Sequence, residues 1–120
     1  MKIDIFNHIM PQSYFDKMVA LEPKGKDMNN RIRMAAGLVN LGERFRAMDQ
    51  FGDYSQIISL VAPPIESYGP HANDMARLAN DGMAELVRRY PDRFLGFVAS
   101  LPMNEPDGLL DEARRAVRDL

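Results

Sequence analysis

Along the chain, apolar positions switch between short continuous runs and a spacing of three to four residues, the pattern of strands alternating with helices. The first block, Lys2-Ile3-Asp4-Ile5-Phe6-Asn7-His8-Ile9-Met10-Pro11, reads as one short strand that ends on a histidine and stops at a proline. Strand alternation would put Asp4, Phe6 and His8 on one face, and Ile3, Ile5 and Asn7 on the other. With Ile3 and Ile5 packed outward under helices, His8 is expected to point inward at the strand's C-terminal end. In parallel α/β folds that end holds ligands and metals. Tyr14, Phe15, Met18, Val19 and Leu21 then recur at helical spacing, and Pro23 is expected to end the run. Residues 24–40 hold a basic start, an Asn pair and a short apolar patch, and read as a loop with a helical turn or more.

Asn40 followed by Glu43 resembles a capping pair, with Leu41, Phe45, Met48 and Phe51 marking one helix face and Gly52 at the C-cap. Gln56 to Val61 is nearly continuous and apolar, as in a strand covered on both faces, and Ala62-Pro63-Pro64 terminates it. A long helix is expected over about residues 71–90, buried through Met75, Leu78, Ala79, Met83, Leu86, Val87 and Tyr90, with Glu85 and Arg89 on its solvent side. Arg93 to Leu101 reads as a third strand. Asn104-Glu105-Pro106-Asp107 reads as a helix start, and Leu109, Leu110, Ala113, Ala116, Val117 and Leu120 carry the next apolar stripe. Three strand–helix units closing on Leu120, in mid-stripe, suggest the N-terminal part of a larger α/β protein; the alternative is a small complete three-stranded domain.

Composition narrows the function classes. The 120 residues suit one domain, and 46% hydrophobic content is enough to bury a core. Fifteen basic residues are interspersed with seventeen acidic ones for a net charge of −2, so no basic stripe follows a phosphate backbone and nucleic acid is not an expected partner. No apolar run approaches the roughly 18 residues of a membrane span, and Asp4 and Asn7 interrupt any signal-peptide core. The absence of cysteine removes disulfides and thiolate metal sites and agrees with a cytoplasmic location. Nine methionines read as adaptable core filler.

Four blocks in register, MKIDIFNHIMP (1–11), ERFRAMDQFG (43–52), NDGMAELVRRYPDRFLGF (80–97) and ASLPMNEP (99–106), resemble the amidohydrolase-related proteins similar to aminocarboxymuconate-semialdehyde decarboxylase. The resemblance implies a (β/α)8 barrel of which residues 1–120 are the first three or so units, since a whole barrel takes about 250 residues. It implies a divalent metal, usually zinc, held at the barrel mouth partly by a His-x-His pair on the first strand. It also implies decarboxylation or hydrolysis of a small aromatic or muconate-like carboxylic acid, and a homodimer. Here the pair reads Phe6-Asn7-His8. Phenylalanine has no lone pair and alternation turns Asn7 away, so His8 is the one expected metal ligand, and zinc sites ordinarily take three or four protein ligands.

Phe6 is then expected to fill space beside the site and to stack on a substrate ring, while Asp4 is read as structural. Arg31 and Arg33, after the first unit, are candidates to bind a substrate carboxylate bidentately. His71, after a Gly-Pro turn, is read as a surface cap. The arginines of the last two helices pair with Glu85, Asp111 and Glu112 at helical spacings, and Ser59 and Ser100 lack the elbow glycines of a serine hydrolase. The rival reading is a metal-free barrel that binds small acids or scaffolds a partner without chemistry, and Phe6 favours it.

Overall fold

Three parallel strands, β1 (Lys2–Asp4), β2 (Tyr54–Ser59) and β3 (Phe94–Val98), lie side by side in chain order in the computed structural model, which describes residues 1–21, 26–35 and 37–120. Parallel neighbours need long crossovers. Helices α1 (Gln12–Leu21), α2 (Lys26–Met34) and α3 (Leu41–Asp49) join β1 to β2. A 3-10 segment (Ile65–His71) and α4 (Ala72–Arg89) join β2 to β3, and α5 (Pro106–Arg118) follows β3. This is the α/β alternation expected from the sequence, and the helical turn or more expected within residues 24–40 is a helix of 9 residues, Lys26–Met34. Pro23, expected to end α1, lies outside the described residues.

The helices cover one face of the sheet. Ile58 of β2 and Phe94 of β3 are fully buried with Ile9, Met48 of α3 and Met83 of α4. A second apolar cluster joins Tyr14, Phe15 and Met18 of α1 to Met75, Ala76 and Ala79 of α4. Five methionines (Met10, Met18, Met48, Met75 and Met83) are buried, in keeping with a filling role, and four (Met1, Met28, Met34 and Met103) are exposed. Close approach of α4 to the segment before α1 depends on Gly82, where an added Cβ would come 2.5 Å from the Pro11 Cβ. Asn40 caps α3 as its spacing with Glu43 predicts, its side-chain oxygen accepting the Glu43 amide at 3.2 Å. Gly52, two residues past the observed C-cap Gln50, takes φ +73°, which only glycine adopts readily.

The first strand departs from the expected pattern. It pairs only through Asp4, opposite Gln56, and the chain bends at Phe6 before a lone parallel bridge between Ile9 and Leu60. Asp4 and Asn7 both turn to the helix-covered side: Tyr54 donates to Asp4, and Asn7 meets Arg44 of α3. Three residues apart on one face means that alternation slips by one between them. The expected grouping of Asp4 with Phe6 and His8 is therefore wrong, as is the packing of Ile3 and Ile5 under helices. Ile3 stands opposite Ser55, and both isoleucines are exposed.

The other helix ends differ in detail. Phe51 is exposed rather than part of the α3 core face. His71 precedes α4 without a side-chain capping bond, and Asn104 donates to the Gly69 carbonyl at 3.3 Å instead of capping α5. The buried member of α5 is Glu112, while Leu110 and Val117 of its expected stripe face solvent.

Candidate functional site

Ser59 is the last residue of β2 and has the parity opposite to Ile58, so it faces away from the helices. Its Oγ lies 2.6 Å from the Asn7 carbonyl oxygen and 3.0 Å from His8 Nδ1. His8, exposed, thus sits on the helix-free face at the C-terminal end of β1 and β2. The slip between Asp4 and Asn7 leads to this position, so the inward histidine expected from alternation is reached by a different path. Phe6, also exposed, meets the His8 ring edge-on with centroids 5.9 Å apart.

Arg44 underlies this corner from the helix side and is buried. Its Nε donates to Gln56 Oε1 at 2.8 Å, Nη1 to the carbonyls of His8 (2.7 Å) and Gly37 (3.1 Å), and Nη2 to Asn7 Oδ1 at 2.6 Å. Asn7 in turn donates to the carbonyls of Asp4 and Ile57. One guanidinium therefore ties α3 to β2 and to the backbone of the His8 turn. Burial pulls its pKa below the ordinary arginine value, with the nearby charge of Asp4 acting against that. Burial pushes the Asp4 carboxyl upward, but hydrogen bonds from Tyr54, the Phe6 amide, Gln56 and Asn7 outweigh it and hold the group below its usual range. Asp4 is a structural acceptor on the side away from His8.

Arg31 and Arg33 lie in the last turn of α2. Arg33 stacks over the Phe15 ring at 5.4 Å and lines a cavity of about 390 Å³, together with Gln12, Ala35, Val39, Asn40 and Glu43. Neither Phe6 nor His8 lines that cavity. Sequence reasoning brought out His8 and Phe6 but missed Ser59 and Arg44. Arg44 stands three residues after Leu41 and four before Met48, on the same helix face, which was the available signal.

Among the described residues no group of three or more His, Cys, Asp or Glu side chains stands close enough to hold a metal ion. The Phe6 ring cannot coordinate, and Asn7 is committed to Arg44 and two carbonyls. The donor set here does not by itself fit the divalent-metal site that the resemblance implies. No helix of the described residues is long and apolar enough to cross a membrane.

No family model matches the chain. It is 43% identical over 79 residues to the gamma-resorcylate decarboxylase of Polaromonas sp. (strain JS666), covering 64% of this chain and 24% of that protein. The same enzyme from Rhizobium radiobacter is also 43% identical over 79 residues, with the same coverage. The match thus spans about a quarter of the length of these curated relatives. Among solved structures, 2,6-dihydroxybenzoate decarboxylase complexed with 2,6-dihydroxybenzoate superposes with a TM-score of 0.67 at 31% identity, over 98% of this chain and 36% of that one. The 5-carboxyvanillate decarboxylase LigW from Sphingomonas paucimobilis gives a TM-score of 0.83 at 25% identity, over 98% and 39%. Three parallel strands alternating with helices, superposing on just over a third of these chains, match part of the TIM barrel of amidohydrolase decarboxylases, and over that part the chain is similar in sequence to aromatic-acid decarboxylases.

Proposed function

We propose that these residues form one portion of a single (β/α)8 barrel whose reaction is non-oxidative decarboxylation of a small hydroxylated aromatic acid. The observation that carries the reading is the 43% identity to gamma-resorcylate decarboxylases over 79 residues, beside the superposition on 2,6-dihydroxybenzoate decarboxylase at 31% identity. In such a reaction the bond from ring carbon to carboxylate breaks, carbon dioxide leaves, and the ring carbon takes a proton. His8 lies on the helix-free face of the sheet, the interior side of a closed barrel. Phe6 beside it offers an aromatic face to a substrate ring, and Arg31 and Arg33 are this region's candidates for the carboxylate. A divalent metal, zinc by the resemblance, would need ligands besides His8, since the described residues gather no group of three or more His, Cys, Asp or Glu side chains.

Incubating the full-length protein that carries this segment with 2,6-dihydroxybenzoate tests the reading. Carbon dioxide and the decarboxylated phenol are expected, and His8→Ala is expected to reduce turnover by about 10²-fold or more, whether the imidazole serves as a metal ligand or moves a proton. Full turnover in His8→Ala overturns the assignment of His8. A second reading, a barrel that binds small aromatic acids without chemistry, is favoured by Phe6 standing where the family places a ligand. Calorimetric binding of the acid with no product after long incubation supports that one.

A further inference from the structure

The contacts of one hydroxyl decide which nitrogen of His8 carries its proton. Ser59 Oγ lies 2.6 Å from the Asn7 carbonyl oxygen. A carbonyl cannot donate, and two oxygens approach this closely only with a proton between them, so the single Ser59 hydrogen is committed to Asn7. The same Oγ lies 3.0 Å from His8 Nδ1. With no hydrogen left to give, Ser59 accepts there, and Nδ1 is the donor.

We infer that Ser59 is a positioning residue that holds neutral His8 in the Nδ1–H tautomer, leaving the Nε2 lone pair free on the helix-free face. Nε2 has no hydrogen bond among the described residues, so nothing there opposes this assignment. The groups that hold this pair are themselves hydrogen-bonded. Asn7, whose carbonyl takes the Ser59 proton, is held by its side chain to Arg44 and to the Asp4 and Ile57 carbonyls. The His8 carbonyl accepts from Arg44 at 2.7 Å, and the Ile9 amide donates to the Ser59 carbonyl at 2.8 Å. Histidines that use one ring nitrogen on a ligand are commonly fixed by a hydrogen bond at the other. The tautomer stands on geometry alone; its use on an acidic proton of an aromatic acid rests on the decarboxylase reading.

Long-range proton–nitrogen NMR on the chain labelled with ¹⁵N-histidine tests it, at a pH high enough that the ring carries one proton. The chain has two histidines, and His71→Gln assigns the signals. His8 is expected to show a protonated Nδ1 and an unprotonated Nε2. Ser59→Ala is expected to lower the Nδ1–H to Nε2–H ratio about tenfold, as for the loss of one hydrogen bond, and Ser59→Thr is expected to restore it. A wild-type His8 protonated mainly at Nε2, or a ratio unmoved by Ser59→Ala, overturns the inference. Because no turnover is read, an inactive full-length protein with Nδ1–H at His8 sinks the decarboxylase reading and leaves the positioning role standing.

Discussion

Arg44 shows how one side chain can carry a corner of the fold. It satisfies four acceptors at once: Gln56 Oε1, Asn7 Oδ1 and the carbonyls of His8 and Gly37. A buried polar group left without its partner costs roughly 1–3 kcal/mol. Arg44→Met keeps much of the stem's volume and strands these acceptors, so a loss of about 3 kcal/mol is expected, read as a lower urea midpoint with unchanged slope. Arg44→Lys is expected to recover little, because an ammonium cannot reproduce the planar fork. If Arg44→Met denatures like the wild type, the network does not hold this corner of the fold together. Sequence alone gave little warning of this role, since arginine on a helix is most often solvated. The histidine was legible from its place before Pro11, but its route was not. Alternation assumes an unbroken strand, and the Asn7 side chain, drawn to Arg44, turns the chain out of phase.

Whole elements were easier to read than their ends. Continuous apolar runs foretold β2 and β3, and the 3.6-residue stripe of α4 fell within a residue or two of its observed limits. Helix α5 was legible as a helix but misread in its packing, because its contact with α4 runs through polar groups. Glu112, fully buried, accepts from Asn80 at 2.7 Å and from Arg115 in a two-pronged pair at 2.8 Å each. Asn80 also exchanges two bonds with the backbone of Ser100, at 2.9 and 2.8 Å, so the same cluster fixes the chain leaving β3. No hydrophobic periodicity announces such a cluster: the Glu112–Arg115 pair was legible from its helical spacing, but Asn80 and Ser100 join it only in space. Burial raises the Glu112 pKa, but the bonds from Arg115 and Asn80 and the charge of Arg77 prevail and hold it below its ordinary value. A depressed carboxyl pKa stabilises the fold above the unfolded-state value and stops doing so as pH falls through the folded value. Stability is therefore expected to drop below about pH 4. Arg115→Met, which leaves the buried carboxylate short of a partner, is expected to cost about 3 kcal/mol near neutral pH and less in acid. Thermal melts at pH 7 and pH 3 check this, and an equal penalty at both would show that the charge of Glu112 is not involved.

At the scale of the molecule, the sheet has one covered face and one bare one. Opposite the helices, Ile3 and Leu95 are each 45% exposed and Val98 56%, with Ile5 and Phe6 more exposed still at the end of β1. The class of fold was legible in the sequence, but the state of this face was not. An apolar strand residue reads the same whether a second layer covers it or not. In a closed barrel such residues fill the interior in layers, and the superposition on just over a third of two decarboxylase barrels gives this face that position. Contiguous exposed apolar surface of this kind binds apolar dyes and lowers solubility. The 120-residue chain is accordingly expected to enhance the fluorescence of anilinonaphthalene sulfonate while still melting cooperatively. Leu95→Glu with Val98→Glu is expected to remove most of that enhancement. The pair should shift stability by no more than about 0.5 kcal/mol per site, since neither side chain is packed in the helix-side core. A large loss of stability would mean instead that these residues are packed in solution, and that the sheet closes on its bare side in a way the parallel three-stranded arrangement does not provide.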